Sequence, residues 1–97
     1  MEDIKIYPIF AVEIQIYANM PTIIDIFGLK FQIYCRDHLP PHVHVISQDG
    51  SAKFEVSENN VRLMENKKMK PHDLKLAESI VIKNVNHILN EWVKIHG

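Results

Sequence analysis

The sequence predicts an α+β domain, a small antiparallel β-meander of four to five strands packed on one long C-terminal α-helix. Three observations carry this expectation. Apolar and polar residues alternate in short runs through the first two thirds of the chain, apolar residues recur at three- and four-residue spacing from Leu74 to Ile95, and turn-forming residues separate the runs. The 97 residues suffice for one domain, and 46% apolar with 24% charged residues suits a folded core rather than a disordered segment.

From Ile4 to Ile16 the even positions are Ile4, Ile6, Pro8, Phe10, Val12, Ile14 and Ile16 while Lys5, Glu13 and Gln15 take odd ones, and Pro8 confines this strand to a sheet edge or splits it. Residues 1–19 therefore read as an N-terminal extension forming an edge strand, and residues 20–97 as a single α+β domain. Ala18 to Pro21 is a connection. Leu29, Phe31, Ile33 and Cys35 then alternate with Lys30, Gln32, Tyr34 and Arg36 in a second strand, with Gly28 as the turn before it. Arg36 to Pro41 must be a loop, because successive prolines remove donors and push the residues before them toward extended conformations.

A strand resumes at His42, with Val43 and Val45 on one face and His42 and His44 on the other. Asp49-Gly50 suits the centre of a type I′ hairpin turn. That turn would set Val45 opposite Phe54, Val43 opposite Val56, His44 opposite Glu55 and Ile46 opposite Lys53. Glu58-Asn59-Asn60 marks a further turn, Val61 to Glu65 a short strand and Asn66 to Lys70 a basic connector. Pro71 and Asp73 fit the first turn of a helix, whose apolar stripe runs through Leu74, Ala77, Val81, Val85, Ile88, Trp92 and Ile95. A helix of about 25 residues is about 38 Å long, so its last turns are expected to overhang the sheet and meet a partner or a second copy.

Composition narrows the function. Eleven Lys and Arg against twelve Asp and Glu argue against the strongly basic surface of a duplex-binding protein. Lys67, Lys68, Lys70 and Lys75 are the one basic run, a solvated connector or a track for a nucleic-acid backbone, RNA included, or an acidic partner. A single cysteine excludes a disulfide-stapled scaffold, and Cys35 reads as a small apolar residue rather than a nucleophile. Met1-Glu2-Asp3 is acidic where a signal peptide would be basic, and no apolar run approaches the roughly 20 residues of a membrane span, so a soluble cytoplasmic protein without a membrane partner is expected.

The dense feature is Asp37-His38-Leu39-Pro40-Pro41-His42-Val43-His44. Three readings compete. As an acid–base site, His38, His42 and His44 would work with Glu55 orienting His44, while Arg36, Lys53 and Tyr34 hold the phosphate, as in a ribonuclease or phosphodiesterase. As a metal site, His38, His42 and His44 would give three nitrogens to a divalent transition metal. As an interaction surface, the histidines would brace the loop or form a pH-sensitive contact, while Leu89, Trp92 and Val93 meet a protein partner.

The run Met20-Pro21-Thr22-Ile23, the D-H-x-P-P-H-x-H core from Asp37 to His44, the Ala52-Lys53-Phe54 strand and a helix ending near Glu91-Trp92 resemble the small bacterial family known as domain of unknown function 4160. The resemblance implies a toxin component of a toxin–antitoxin pair, with a small cognate protein as partner. Members of that family commonly begin at the position of Met20. The alternation in residues 1–19 predicts instead an ordered strand, paired with the sheet or with a second copy in a homo-oligomer, as the C-terminal helix also could be.

Overall fold

The computed structural model describes residues 21–97 together with the backbone of Lys5–Ile6. Strands β1 (Lys5–Ile6), β2 (Thr22–Ile26), β3 (Leu29–Gln32), β4 (His42–Ile46), β5 (Ser51–Ser57) and β6 (Asn60–Lys67) form one antiparallel sheet in chain order. Helices α1 (Pro71–Lys83) and α2 (Val85–His96) follow. The class is the α+β meander that the alternation and the helical stripe predict. The rest of the strand expected over Ile4 to Ile16 lies outside the described residues.

The core joins Leu29, Phe31, Val43, Val45, Ala52, Phe54 and Val56 of the sheet to Ala77, Val81, Ile88 and Trp92 of the helices. Each such large apolar side chain contributes about 1.5–3 kcal/mol on burial. Strand β2 was absent from the sequence reading. Ile23 and Ile24 are both fully buried, because the register shifts between Thr22 and Ile24 and a bulge there breaks the period of two.

The two-residue turn with positive φ at both centres lies at Phe27-Gly28, with φ of 54° and 75°, and it pairs Ile26 with Leu29. Phe27 is an exposed, bulky side chain in a left-handed conformation that costs an L-residue about 1–2 kcal/mol. Phe27→Asn is expected to stabilise the domain by about 1 kcal/mol and raise Tm by about 4–8 °C in thermal denaturation. An unchanged or lower Tm would mean that the phenyl ring contributes packing the exposed position does not suggest.

The β4–β5 hairpin corrects the expected register. Its central residues are Gln48-Asp49, not Asp49-Gly50. The Ser47 N–H donates to the Gly50 carbonyl at 2.8 Å, and Ser47 Oγ donates to that carbonyl and accepts from the Gly50 N–H, both at 3.0 Å. His42 therefore faces Glu55, Val43 faces Phe54, His44 faces Lys53 and Val45 faces Ala52. The slip is two residues, so every side chain keeps its predicted face while its neighbour changes. Gly50 does not have positive φ. Its role is close approach: a Cβ there would collide with the Lys67 carbonyl oxygen and lie 2.7 Å from Lys68 C and 2.9 Å from Met69 N.

The single long helix is also corrected. A straight helix over Pro71 to His96 would be about 39 Å long, and the described residues extend 33 Å along their longest principal axis. The helix breaks at Asn84, whose N–H turns to the Val81 carbonyl at 3.1 Å and whose Nδ2 donates to the Ile80 carbonyl at 2.8 Å. The break lets α2 pack back on the core through Ile88 and Trp92 instead of overhanging the sheet. Among the described residues no helix is long and apolar enough to cross a membrane.

Candidate metal centre

Asp37 reaches the histidines because the chain between β3 and β4 closes a local turn. The Asp37 N–H donates to the Tyr34 carbonyl at 3.1 Å, and the Tyr34 N–H donates back to Asp37 Oδ2 at 3.2 Å. An aspartate at this position of a turn commonly satisfies the backbone it folds over. The other end of the loop is pinned by the Val56 N–H, which donates to the Pro41 carbonyl at 2.9 Å. Asp37 Oδ2 then stands 2.8 Å from His44 Nε2 and 3.2 Å from His42 Nε2. One ligand atom from each of the three residues lies within 4.8 Å of the others.

The hydrogen bonds assign the nitrogens. His42 Nδ1 lies 2.8 Å from the Pro40 carbonyl, an acceptor, so Nδ1 carries a proton, and the Nδ1-protonated neutral tautomer would present its Nε2 lone pair to Asp37. Asp37 Oδ2 is itself an acceptor. The contact is favourable only with a cation or a proton between them. A carbonyl holding the far nitrogen of a histidine is the usual outer arrangement of a metal-ligating imidazole.

His44 is held below the ordinary histidine value, first by burial and then by the charges of His42 and Lys53, against the opposing pull of its Asp37 hydrogen bond. The folded protein therefore binds fewer protons than the unfolded chain once the pH falls below the ordinary value of 6.5, and this contribution to stability, present above that pH, is lost on acidification. Thermal melts should show a lower Tm at pH 5 than at pH 7, with a flatter dependence in His44→Gln. An equal slope in that variant would remove His44 as the cause.

A second layer holds both rings. Tyr34 stacks on His44 with centroids 3.7 Å apart and planes 6° from parallel. The Trp92 ring lies 5.3 Å from His42 and stacks on His96 at 3.9 Å. His96 Nδ1 and Nε2 face the carbonyls of Trp92 and Tyr34, each at 3.0 Å. Burial raises the pKa of the Tyr34 phenol, with Asp37 adding to it, so the hydroxyl keeps its proton at neutral pH. Burial likewise raises the half-buried Cys35 thiol, which keeps it from being a ready nucleophile.

The predicted site residues separate into two groups. His42, His44, Lys53 and Tyr34 come together, Lys53 through its register position opposite His44. His38 and Arg36 are exposed, and His38 stands outside the ligand cluster, where Asp37 takes the third place. Glu55 faces His42 rather than His44, and its Oε1 accepts from Arg62 Nη2 at 2.8 Å. The signal that could have found Asp37 is its position at the head of the histidine motif, in a loop too stiff to leave it idle.

Fold and cluster together define a small α+β domain carrying a two-histidine, one-carboxylate donor set. The chain belongs to the domain of unknown function family DUF4160, whose family model matches residues 28–93. No curated protein and no solved structure matches the chain.

Proposed function

We propose that Asp37, His42 and His44 hold one divalent transition metal, zinc in the first instance, and that the domain hydrolyses a phosphate ester. The observation that carries the reading is the approach of His42 Nε2 to Asp37 Oδ2 at 3.2 Å while Nδ1 faces the Pro40 carbonyl, which calls for a positive charge, an ion or a proton, between the ring and the carboxylate. Two imidazoles and one carboxylate also leave open coordination positions for water and substrate. A bound divalent ion would supply a water acidified toward pKa 7 and a Lewis acid for the phosphoryl oxygen.

The chain's own residues do the rest. The Pro40 carbonyl fixes the His42 tautomer, Tyr34 holds the plane of His44, and Lys53 offers a cation to a non-bridging phosphate oxygen. In the reaction a water oxygen bonds to phosphorus while the ester P–O bond breaks, one water proton going to the leaving alcohol and the other to solvent. The test is elemental analysis of protein purified without a histidine tag. About one equivalent of metal, lost in His42→Ala/His44→Ala, is expected, and sub-stoichiometric metal unaffected by that double substitution would overturn the reading.

The same contact favours one alternative, a metal-free acid–base site in which a proton on His42 Nε2 replaces the ion. Phosphodiesterase activity that survives exhaustive chelation would select it. In the cell the proposal takes the form implied by the family resemblance, growth arrest by the induced chain and its relief by a small cognate protein. Arrest by wild type but not by an equally expressed, folded His42→Ala/His44→Ala variant would tie that arrest to the cluster.

A further inference from the structure

We propose that the groove beside Asp37 is the subsite for the planar ring of a phosphate ester, a nucleobase, an assignment that rests on the metal-centre reading above. The groove has a volume of about 420 Å³, within the range of small-molecule pockets, and its lining includes Asp37, Leu39, Pro41, Trp92, Val93 and His96, with Gly97 at its end. Asp37 belongs to both groove and cluster, so a group bound at the centre has the groove as its immediate neighbour.

The lining suits an apolar flat group. Leu39 and Val93 are 77% and 62% exposed, large apolar surfaces that the fold itself leaves uncovered. Trp92 connects the groove to the centre through its contact with His42. The polar atoms of His96 are already committed to the Trp92 and Tyr34 carbonyls, so they do not compete for a polar ligand. Lys53, which does not line the groove, stands opposite His44 across the ladder. A divalent ion balanced by one carboxylate and flanked by Lys53 makes the centre cationic. The site is thus polarised, anion-binding at Lys53 and apolar at Leu39 and Val93, which matches a phosphate carrying a base and matches neither a bare phosphate nor an acidic peptide.

The test uses the full zinc-loaded chain, with the fluorescence of its one tryptophan, Trp92, as the readout. Adenosine 5′-monophosphate, ribose 5-phosphate and inorganic phosphate are titrated in turn. The nucleotide is expected to bind about 5- to 150-fold more tightly than ribose 5-phosphate, the range set by one stacked base. Leu39→Ser/Val93→Ser, substitutions at exposed positions checked for fold by circular dichroism, should reduce the nucleotide's affinity to that of ribose 5-phosphate. Displacement by a single-stranded hexaribonucleotide at lower concentration than the free nucleotide assigns the ring to RNA, and the reverse order assigns it to free nucleotides, both in support. Equal binding of nucleotide and ribose 5-phosphate, with zinc and phosphate still bound, overturns the groove assignment alone. Failure of the chain to hold zinc overturns it together with the metal-centre reading.

Discussion

Asp37→Asn is expected to weaken zinc binding by more than about a hundredfold, since even residues that only orient a ligand commonly cost 10- to 100-fold. Asparagine keeps the shape and an acceptor oxygen for the Tyr34 N–H, so the turn from Tyr34 to Asp37 survives while the negative charge is lost. The paired control is His38→Ala. That side chain is exposed and outside the cluster, and its removal should leave affinity unchanged. Competitive titration with a chromophoric chelator measures both. Retained affinity in Asp37→Asn with loss in His38→Ala would reinstate the three-histidine set that the motif suggests by itself.

Gly50→Ala should destabilise the fold by more than about 3 kcal/mol, lowering Tm by about 12 °C or more, an overpacking cost at the upper end of its usual range. At a residue of ordinary backbone conformation, exchanging glycine for alanine normally stabilises by about 0.4–1 kcal/mol by restricting the unfolded chain. Here the sign reverses, because the added Cβ meets main-chain atoms of Lys67, Lys68 and Met69, none of which can rotate away as a side-chain tip would. Gly28 is the informative comparison. Its φ of 75° penalises alanine, yet no atom lies within 4 Å of the added carbon, so Gly28→Ala should cost only about 1 kcal/mol. Chemical denaturation of both variants checks the order, and a milder effect at Gly50 than at Gly28 would contradict the packing described between the β4–β5 turn and the end of β6.

The strand faces were legible in the sequence because side-chain alternation is a local property, and a register slip of two residues leaves it intact. Neighbours across the ladder were not legible. They depend on where the turn closes, and Gly50 has the look of a turn glycine although its constraint comes from Lys67, which the sequence places in a connector rather than at the end of β6. Strand β2 escaped notice because its bulge buries Ile23 and Ile24 in succession, which erases the alternation. The break at Asn84 left no mark on the apolar stripe, since Val81, Val85 and Ile88 keep helical spacing across it. Of the centre, His42 and His44 could be read from strand periodicity. That the proline loop could fold Asp37 and His38 back over them could be read as well, but not which of the two reaches the rings, because Asp37 is placed by a reciprocal backbone turn with Tyr34 that has no periodic signature.

The order in which these contacts close along the chain has a kinetic consequence. Asp37 and His44 are seven residues apart, whereas the His96 hydrogen bond to Tyr34 spans 62. Loop-closure entropy makes the longer closure costlier by about 2 kcal/mol. In a meander whose strands pair in sequence, the ligand cluster belongs to the early, local part of folding, and the aromatic cover from α2 arrives last. A bound ion should therefore speed refolding, while loss of His96 should chiefly speed unfolding. The centre is in effect assembled first and roofed afterwards.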